Sequence, residues 1–383
     1  MKKTRLEYQA WLREYDLDAS FLHHKTGDIE NPNISCTDAI FLKTRYNKKV
    51  MGVDEQRLSE YFPLTLTLQK LLNLYERILD LKLSLLDDDG GGWWHPDVRT
   101  LEMRNTNDEL LGYIALDLHP REGKYSHACC HGLTLPNNGP GLAVLLCNFS
   151  YNSHGLQHQE LVTLFHELGH GLHFLLGRHQ LCTNQSFNVP VDFLEAPSQF
   201  LEQFMWDAGV LSDLGSHYET GEQLPPQLVT SKVASRDLET GSHVLIQLAY
   251  SLVSLELHKL SLQQIQSLTP ASLTQLQVRI RTQLDGLTQI SDTDHIEASF
   301  SHLASDYSTR YYGYMWALGY ALLMYDHVSG DVEKRGPEYS RCVLQAAATR
   351  DVKEGIEEMG IPVNNINEAI ARVFEKNYFR LSE

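Results

Sequence analysis

The stretch TLFHELGHGLHFLLG, residues 163–177, sets three histidines and a glutamate into an otherwise apolar run. Placed on a helix, Leu161, Phe165, Leu168, Leu172 and Leu175 step by four, three, four and three, which gives one buried stripe. His166 and His170 stand four apart and share another face, with His173 about one turn further on. Two imidazoles one turn apart can reach a single ion, and Glu167 beside them can reach a water on it. This is the H-E-x-x-H spacing. A catalytic zinc takes three protein ligands, keeps one position for water, and makes that water acidic enough to act at neutral pH. A neighbouring carboxylate can take the water's proton and pass it to a leaving amine. The plainer reading is a helical scaffold without metal, in which the histidines are satisfied polar groups of a core helix. The five residues alone leave both readings open, and a third ligand is needed to choose.

The chain has 383 residues, enough for one large core or for two to three modest domains. Apolar residues make up 42% and charged residues 21%, the balance of an ordinary globular protein. The net charge of −17 repels phosphate backbones and anionic lipid, so nucleic-acid and membrane partners are disfavoured. None of the six cysteines (Cys36, Cys129, Cys130, Cys147, Cys182, Cys342) forms a C-x-x-C pair, and they read as free thiols of a reducing compartment. The opening MKKTRLEYQAWLREYDLD lacks the apolar core of a secretory signal. The apolar-rich run YYGYMWALGYALLMY, residues 311–325, is shorter than the ~20 residues of a spanning helix. A soluble, cytoplasmic protein is expected.

The pattern outside the motif is mostly helical. Residues 56–86 read as helix from apolar positions at three- and four-residue spacing, and DDDGGGWWHPD (87–97) ends it. VRTLEMR and LLGYIALDLH, separated by NTND, read as a β-hairpin, and GLAVLLCNFS (141–150) as a third strand. Further helices are expected at 158–176, 194–212, 225–262, 270–286 and 309–328, with two short ones near 350 and 366. The expected class is mainly α with a small β-sheet. The expected organisation is an N-terminal helical segment (1–90), a small sheet subregion (91–150), a helical core carrying the motif (151–328) and a C-terminal helical segment (329–383).

Downstream stands VPVDFLEAPSQFLEQFMWD, residues 189–207. Asp192 and Glu195, three apart, fit a capping box at a helix start. Alternatively, Glu195 is a third ligand and completes a His2Glu site. At this point the sequence resembles a known family. FHELGHGLH followed at this separation by DFLEAPSQFLEQF is similar to the thimet oligopeptidase, saccharolysin and oligopeptidase A family of zinc peptidases. YFPL (61–64), WHPDVR (94–99), GYIALDLHPREGKYSHA (112–128), VLLCNFS (144–150), HYETGEQLP (217–225) and QLAYSLVSLELH (247–258) extend the resemblance over roughly residues 35–328. It implies a zincin-type catalytic domain and a metalloendopeptidase acting on short, unstructured peptides. It further implies one Zn2+ held by His166, His170 and Glu195, with Glu167 as general base. Glu202, two turns after Glu195, would orient a ligand histidine, although a surface acid would have the same spacing. The resemblance gives His173 no ligand role.

A second segment, FSHLASDYSTRYYGYMWALGY (300–320), spaces Tyr307, Tyr311 and Tyr314 by four and three. On a helix these phenols would share one face, and spacing alone favours an aromatic core stripe. The resemblance implies instead that His302, Tyr307, Tyr311 and Tyr314 line the substrate cleft. Tyr314, helped by His302, would then donate to the carbonyl oxygen as it gains negative charge, and Tyr307 and Tyr311 would position substrate. Three departures from the family pattern stand out. HLASDY replaces paired glycines with Ser305 and Asp306. QSFNV (185–189) places Ser186 and Phe187 where relatives carry Gly-Thr, so that Phe187 would reshape a subsite. The long N-terminal half of the family is not recognisable. The alternative expectation is therefore a catalytically weak zinc- and peptide-binding member that needs a separate polypeptide for that half.

Overall fold

The computed structural model describes residues 2–14, 34–86, 92–151, 154–236, 240–284, 288–289 and 295–362, together with residues 367 and 371. In chain order, the helices that matter here are α1 (Lys2–Glu14), α2 (Leu64–Leu79), α3 (His158–Leu176), α4 (Ala196–Glu202) and α5 (Thr240–His258). The strands of the main sheet are β1 (Leu81–Leu85), β2 (Arg99–Asn105), β3 (Leu110–Asp117), β4 (Cys129–Thr134) and β5 (Gly141–Leu146). The protein is mainly helical with this small five-stranded mixed sheet and a two-residue parallel pairing of Ile34–Ser35 with Thr288–Gln289, in agreement with the expected class. Contacts divide it into two units that interleave along the chain. One comprises Met1–Asp54, Thr230–Trp316 and Phe374–Glu383, and the other Glu55–Val229 and Ala317–Val373.

The second unit holds the sheet, in the order β1-β2-β3-β5-β4. β3 and β5 run parallel, and the other neighbours are antiparallel. The expected hairpin is present: Arg99 pairs with Leu116 and Leu101 with Ile114. The expected third strand is β5. Residues 81–85 are strand rather than the tail of a helix. Asp80 takes a left-handed conformation (φ 54°, ψ 60°) and stops α2, and LKLSL then alternates buried and exposed positions. β4 was not visible in the sequence, because CCHGLT has no clean alternation and forms the sheet's edge.

Helix α3 crosses this sheet with the boundaries the periodicity predicts. Gln157 and Glu160 close a capping box at its start, and Gly177 follows its end. All five residues of the stripe, Leu161, Phe165, Leu168, Leu172 and Leu175, are buried. Two glycines inside the motif set how closely the helix packs. A Cβ on Gly171 would come within 2.8 Å of Ile114 on β3, and one on Gly169 within 3.0 Å of the Ser198 backbone on α4. The single helix expected over 194–212 is instead three short pieces and a 3-10 turn: Val191–Leu194, α4, Gln203–Trp206 and Ala208–Leu214. Asp207 breaks the run by taking an extended conformation and capping the last piece, its carboxylate accepting from the Val210 amide. The run expected at 225–262 gives Pro226–Ser235 and α5. The short helix expected near 350 is Val352–Glu358. The one near 366 falls almost wholly outside the described residues.

Beyond the β3 end of the sheet, the buried Asp117 carboxylate gathers several donors. It accepts two hydrogen bonds of 2.7 Å from Arg121, one of 2.9 Å from Trp94 and one of 2.9 Å from Lys124. Lys124 also donates to the carbonyls of Asp117, His119 and Cys147, tying the ends of β3 and β5 together. Burial opposes the charge on Asp117, but these donors outweigh it and hold the carboxyl well below the usual carboxylate range. Asp117→Asn leaves the buried Lys124 ammonium without its counter-charge. It should destabilise the protein by about 3–5 kcal/mol, read as a lower denaturant midpoint. Because the folded-state pKa is depressed, this stabilisation is complete above the unfolded carboxyl's pKa of about 4 and is lost as pH falls below it. The wild-type and variant midpoints should therefore converge in acid.

In the first unit, α1 packs Tyr8, Trp11 and Leu12 with Leu42. The buried Glu7 carboxylate accepts from the Gly241 and Ser242 amides at 3.0 and 3.2 Å, capping the start of α5 from a distant part of the chain. α5 then packs Ala249 and Val253 against Ile280, with Leu303 alongside.

Candidate active site

Helix α3 delivers His166 and His170 to one face, and the junction before α4 delivers Glu195. The three meet: His166 Nε2 to His170 Nε2 is 3.1 Å, and Glu195 Oε2 is 3.1 Å from each of those nitrogens. Donors at 2.0–2.1 Å from a tetrahedral zinc lie roughly 3.3 Å apart. The triangle therefore has the dimensions a zinc ion requires, and two imidazoles with one carboxylate are a donor set that zinc accepts. Among the described residues this is the one group of three or more His, Cys, Asp or Glu side chains close enough to share an ion.

Asp192 and Glu195 do not form a capping box. Pro190 precedes the turn Val191–Leu194, no side chain caps it, and the Glu195 carboxylate faces the histidines. Ser198, one turn into α4, donates to the Glu195 carbonyl at 2.9 Å and lies 3.4 Å from its Oε2. Sequence reading gave Ser198 no role, and only the EAPS spacing could have suggested it. Glu202 reaches the far side of His166, its Oε1 lying 2.5 Å from Nδ1. With Nδ1–H donating to Glu202, Nε2 is the nitrogen that faces the triangle and whose lone pair a metal ion would take.

The charges follow from these distances. Burial lowers the pKa of His166, but its hydrogen bonds to Glu195 and Glu202 outweigh burial and raise it well above 6.5. Burial raises Glu195, but the charge on His170 and the bonds from both histidines hold it well below the usual carboxylate range. Glu167, 7% exposed, is pushed above its ordinary value by burial, partly offset by His166 and His170. Its Oε2 has no hydrogen-bond partner among the described residues. His173 lies outside the triangle; it is fully buried, and neither ring nitrogen has a partner among the described residues. Cys129, Cys130, Cys147, Cys182 and Cys342 are free thiols. Cys129 is pushed up to about 11 by burial and by the charge on Glu167, and Cys130 and Cys147 also rise, so none is a ready nucleophile.

His302, Tyr307, Tyr311 and Tyr314 lie in the first unit. The helix expected at 309–328 forms as Gly313–Val328, so Tyr307 and Tyr311 precede it and only Tyr314 lies on it. Residues 305–312 are turns, Thr309 has φ 67°, and the helix begins at Gly313. The rings still gather. Tyr307 stacks on Tyr314 at 4.9 Å, Tyr311 lies 5.0 Å from Tyr314, and His302 is 5.4–5.9 Å from all three. His302 Nε2 is 3.4 Å from the Tyr314 hydroxyl. α5 supports the group: Gln247 Oε1 accepts from the Tyr311 hydroxyl at 2.9 Å, and Ser254 Oγ accepts from the Thr309 amide at 3.0 Å. These two polar anchors carried no sequence signal, since they lie 64 and 55 residues before their partners.

The profile of peptidase family M3 matches residues 8–372. The chain belongs to peptidase family M3. The match extends past both ends of the stretch that the motifs cover, from the second half of α1 to beyond the helix Val352–Glu358. Among M3-like relatives, saccharolysin of Saccharomyces cerevisiae is 34% identical over 350 residues, covering 86% of this chain and 48% of that protein. Oligopeptidase A of Escherichia coli is 31% identical over 292 residues, covering 73% of this chain and 42% of that protein. The chain thus spans less than half the length of these relatives. Metallocarboxypeptidase 1 of Trypanosoma cruzi shares the fold, with a TM-score of 0.51 at 14% identity, covering 89% of this chain and 66% of that one.

Proposed function

We propose that this M3 chain is a zinc metalloendopeptidase that hydrolyses peptide bonds in short oligopeptides. The observation that carries the reading is the 3.1 Å triangle of His166, His170 and Glu195 with the buried Glu167 beside it on α3. Zinc held by those three side chains supplies a Lewis acid that makes water nucleophilic at neutral pH. Glu167 accepts the water's proton at its unpartnered Oε2 and returns it to the leaving amine. Its burial suits the first task, because a carboxylate with a raised pKa is the stronger base towards the water's proton. Glu195 brings the negative charge that balances a divalent cation in a buried setting. The free thiols fit a reducing compartment such as the cytoplasm. Metal analysis of protein purified without chelators tests the first half of the proposal. One zinc per chain is expected, and protein that holds none would favour the metal-free helical scaffold. Turnover of a quenched fluorescent nonapeptide tests the second half.

Glu202 acts through His166. Glu202→Gln keeps the shape but weakens the hold on the Nδ1 proton, and zinc affinity should fall by about 10–100-fold in a competition titration with a chromophoric chelator. Tyr314 and His302 are assigned to the carbonyl oxygen by family resemblance, and Tyr307 and Tyr311 to substrate positioning. Tyr314→Phe removes a hydroxyl and little volume. It should lower kcat by about 10²–10³-fold with a much smaller change in KM, as expected of a donor used mainly in the transition state.

A further inference from the structure

Phe187 belongs to a 3-10 turn, Ser186–Asn188, that is pinned beside the C-terminal half of α3. The buried Ser186 hydroxyl donates to the His173 carbonyl at 2.6 Å, and the Asn188 side-chain amide donates to the Cys182 carbonyl at 2.7 Å. With its neighbours held on both sides, the Phe187 ring has a fixed place. One face stacks on Phe174 at 5.2 Å and 29°. Phe174 is itself buried against Gly132 of the edge strand β4, where a Cβ would come within 2.3 Å of its ring. Phe187 also stands nearly edge-on to His170, with ring centroids 6.4 Å apart at 74°. Phe187 is not fully buried, and its ring lies next to one of the three proposed metal ligands. A partly exposed phenyl ring held in place beside a polar catalytic centre offers a stacking surface at little ordering cost.

We propose that Phe187 is a specificity-determining residue. It forms the wall of an apolar subsite beside the triangle and takes an aromatic or large aliphatic side chain next to the scissile bond. This rests on the metallopeptidase reading above and adds the substrate class at that position. The test uses two peptide hydroxamates, which chelate zinc, differing only in one side chain, benzyl or methyl, and titrated calorimetrically into the zinc-loaded protein. The wild type should bind the benzyl ligand at least about tenfold more tightly. In Phe187→Ala that ratio should fall towards one while affinity for the methyl ligand holds, and Phe187→Tyr should restore the preference. Equal weakening of both ligands in Phe187→Ala, or an unchanged ratio, would assign the ring a packing role only and overturn the proposal while leaving the metal site intact. If zinc-loaded wild type binds neither hydroxamate, the metallopeptidase reading fails and the subsite with it.

Discussion

Glu167→Gln lowers kcat for peptide hydrolysis by about 10²–10⁴-fold, the contribution typical of a positioned general base. The amide matches the carboxylate in shape but cannot accept the proton. Glu167 is not one of the three groups in the triangle, so zinc content should stay at one per chain. KM should change little, because the carboxylate binds no part of the substrate in this reading. Glu167 is also an expensive residue to keep: it is buried, its Oε2 has no partner among the described residues, and burial pushes its pKa upward. Removing the charge relieves that cost. The variant should therefore be at least as stable as the wild type to denaturant while being nearly inactive. A variant that lost activity through unfolding would show the opposite pairing, a lowered midpoint together with lost zinc.

His170→Ala acts on the metal and should have the larger effect. It removes one corner of the triangle and leaves the buried Glu195 without one of its two imidazole partners. Two ligands remain where a catalytic zinc site uses three. Zinc should be absent after gel filtration, and turnover should fall by more than about 10³-fold, because without the Lewis acid water is a poor nucleophile at neutral pH. Excess chelator should take the wild type to the same rate, and added zinc should restore the wild type but not the variant. A second effect follows from burial. In the variant, Glu195 loses the charge on His170, the largest of the influences that hold it ionised, so its pKa should rise from its depressed value. The variant's stability should then fall less steeply with acid than that of the metal-free wild type.

The motif helix was legible because two independent periods agree on it. The leucine stripe fixed its buried face, and the histidine spacing fixed the face carrying the chemistry. The β2–β3 hairpin was legible for a similar reason, a polar NTND between two alternating runs. The misreadings came where one sequence satisfies two periods. LLNLYERILDLKLSLL keeps helical spacing into LKLSL, which equally alternates, and the decision is made by the left-handed turn at Asp80. β4 escaped notice because its glycine exists to seat Phe174 from another element, a purely tertiary requirement. Glu195 could not be assigned from local sequence, since a capping box and a ligand have the same spacing. The 3.1 Å approach of residues 25 positions apart separates the two readings. The same holds for Glu202 and for the anchors Gln247 and Ser254. The tyrosine segment clusters its rings as helical spacing would, but through turns.

The most direct test of the account is cleavage of a quenched fluorescent nonapeptide by wild type and Glu167→Gln, each shown beforehand to hold one zinc per chain. The account predicts steady turnover by the wild type, abolished by chelator and restored by zinc, and a rate at least about 10²-fold lower in the variant at equal zinc content. Equal rates in the two proteins would contradict the role of Glu167. No turnover by zinc-loaded wild type would contradict the proposal that this chain is a peptidase on its own.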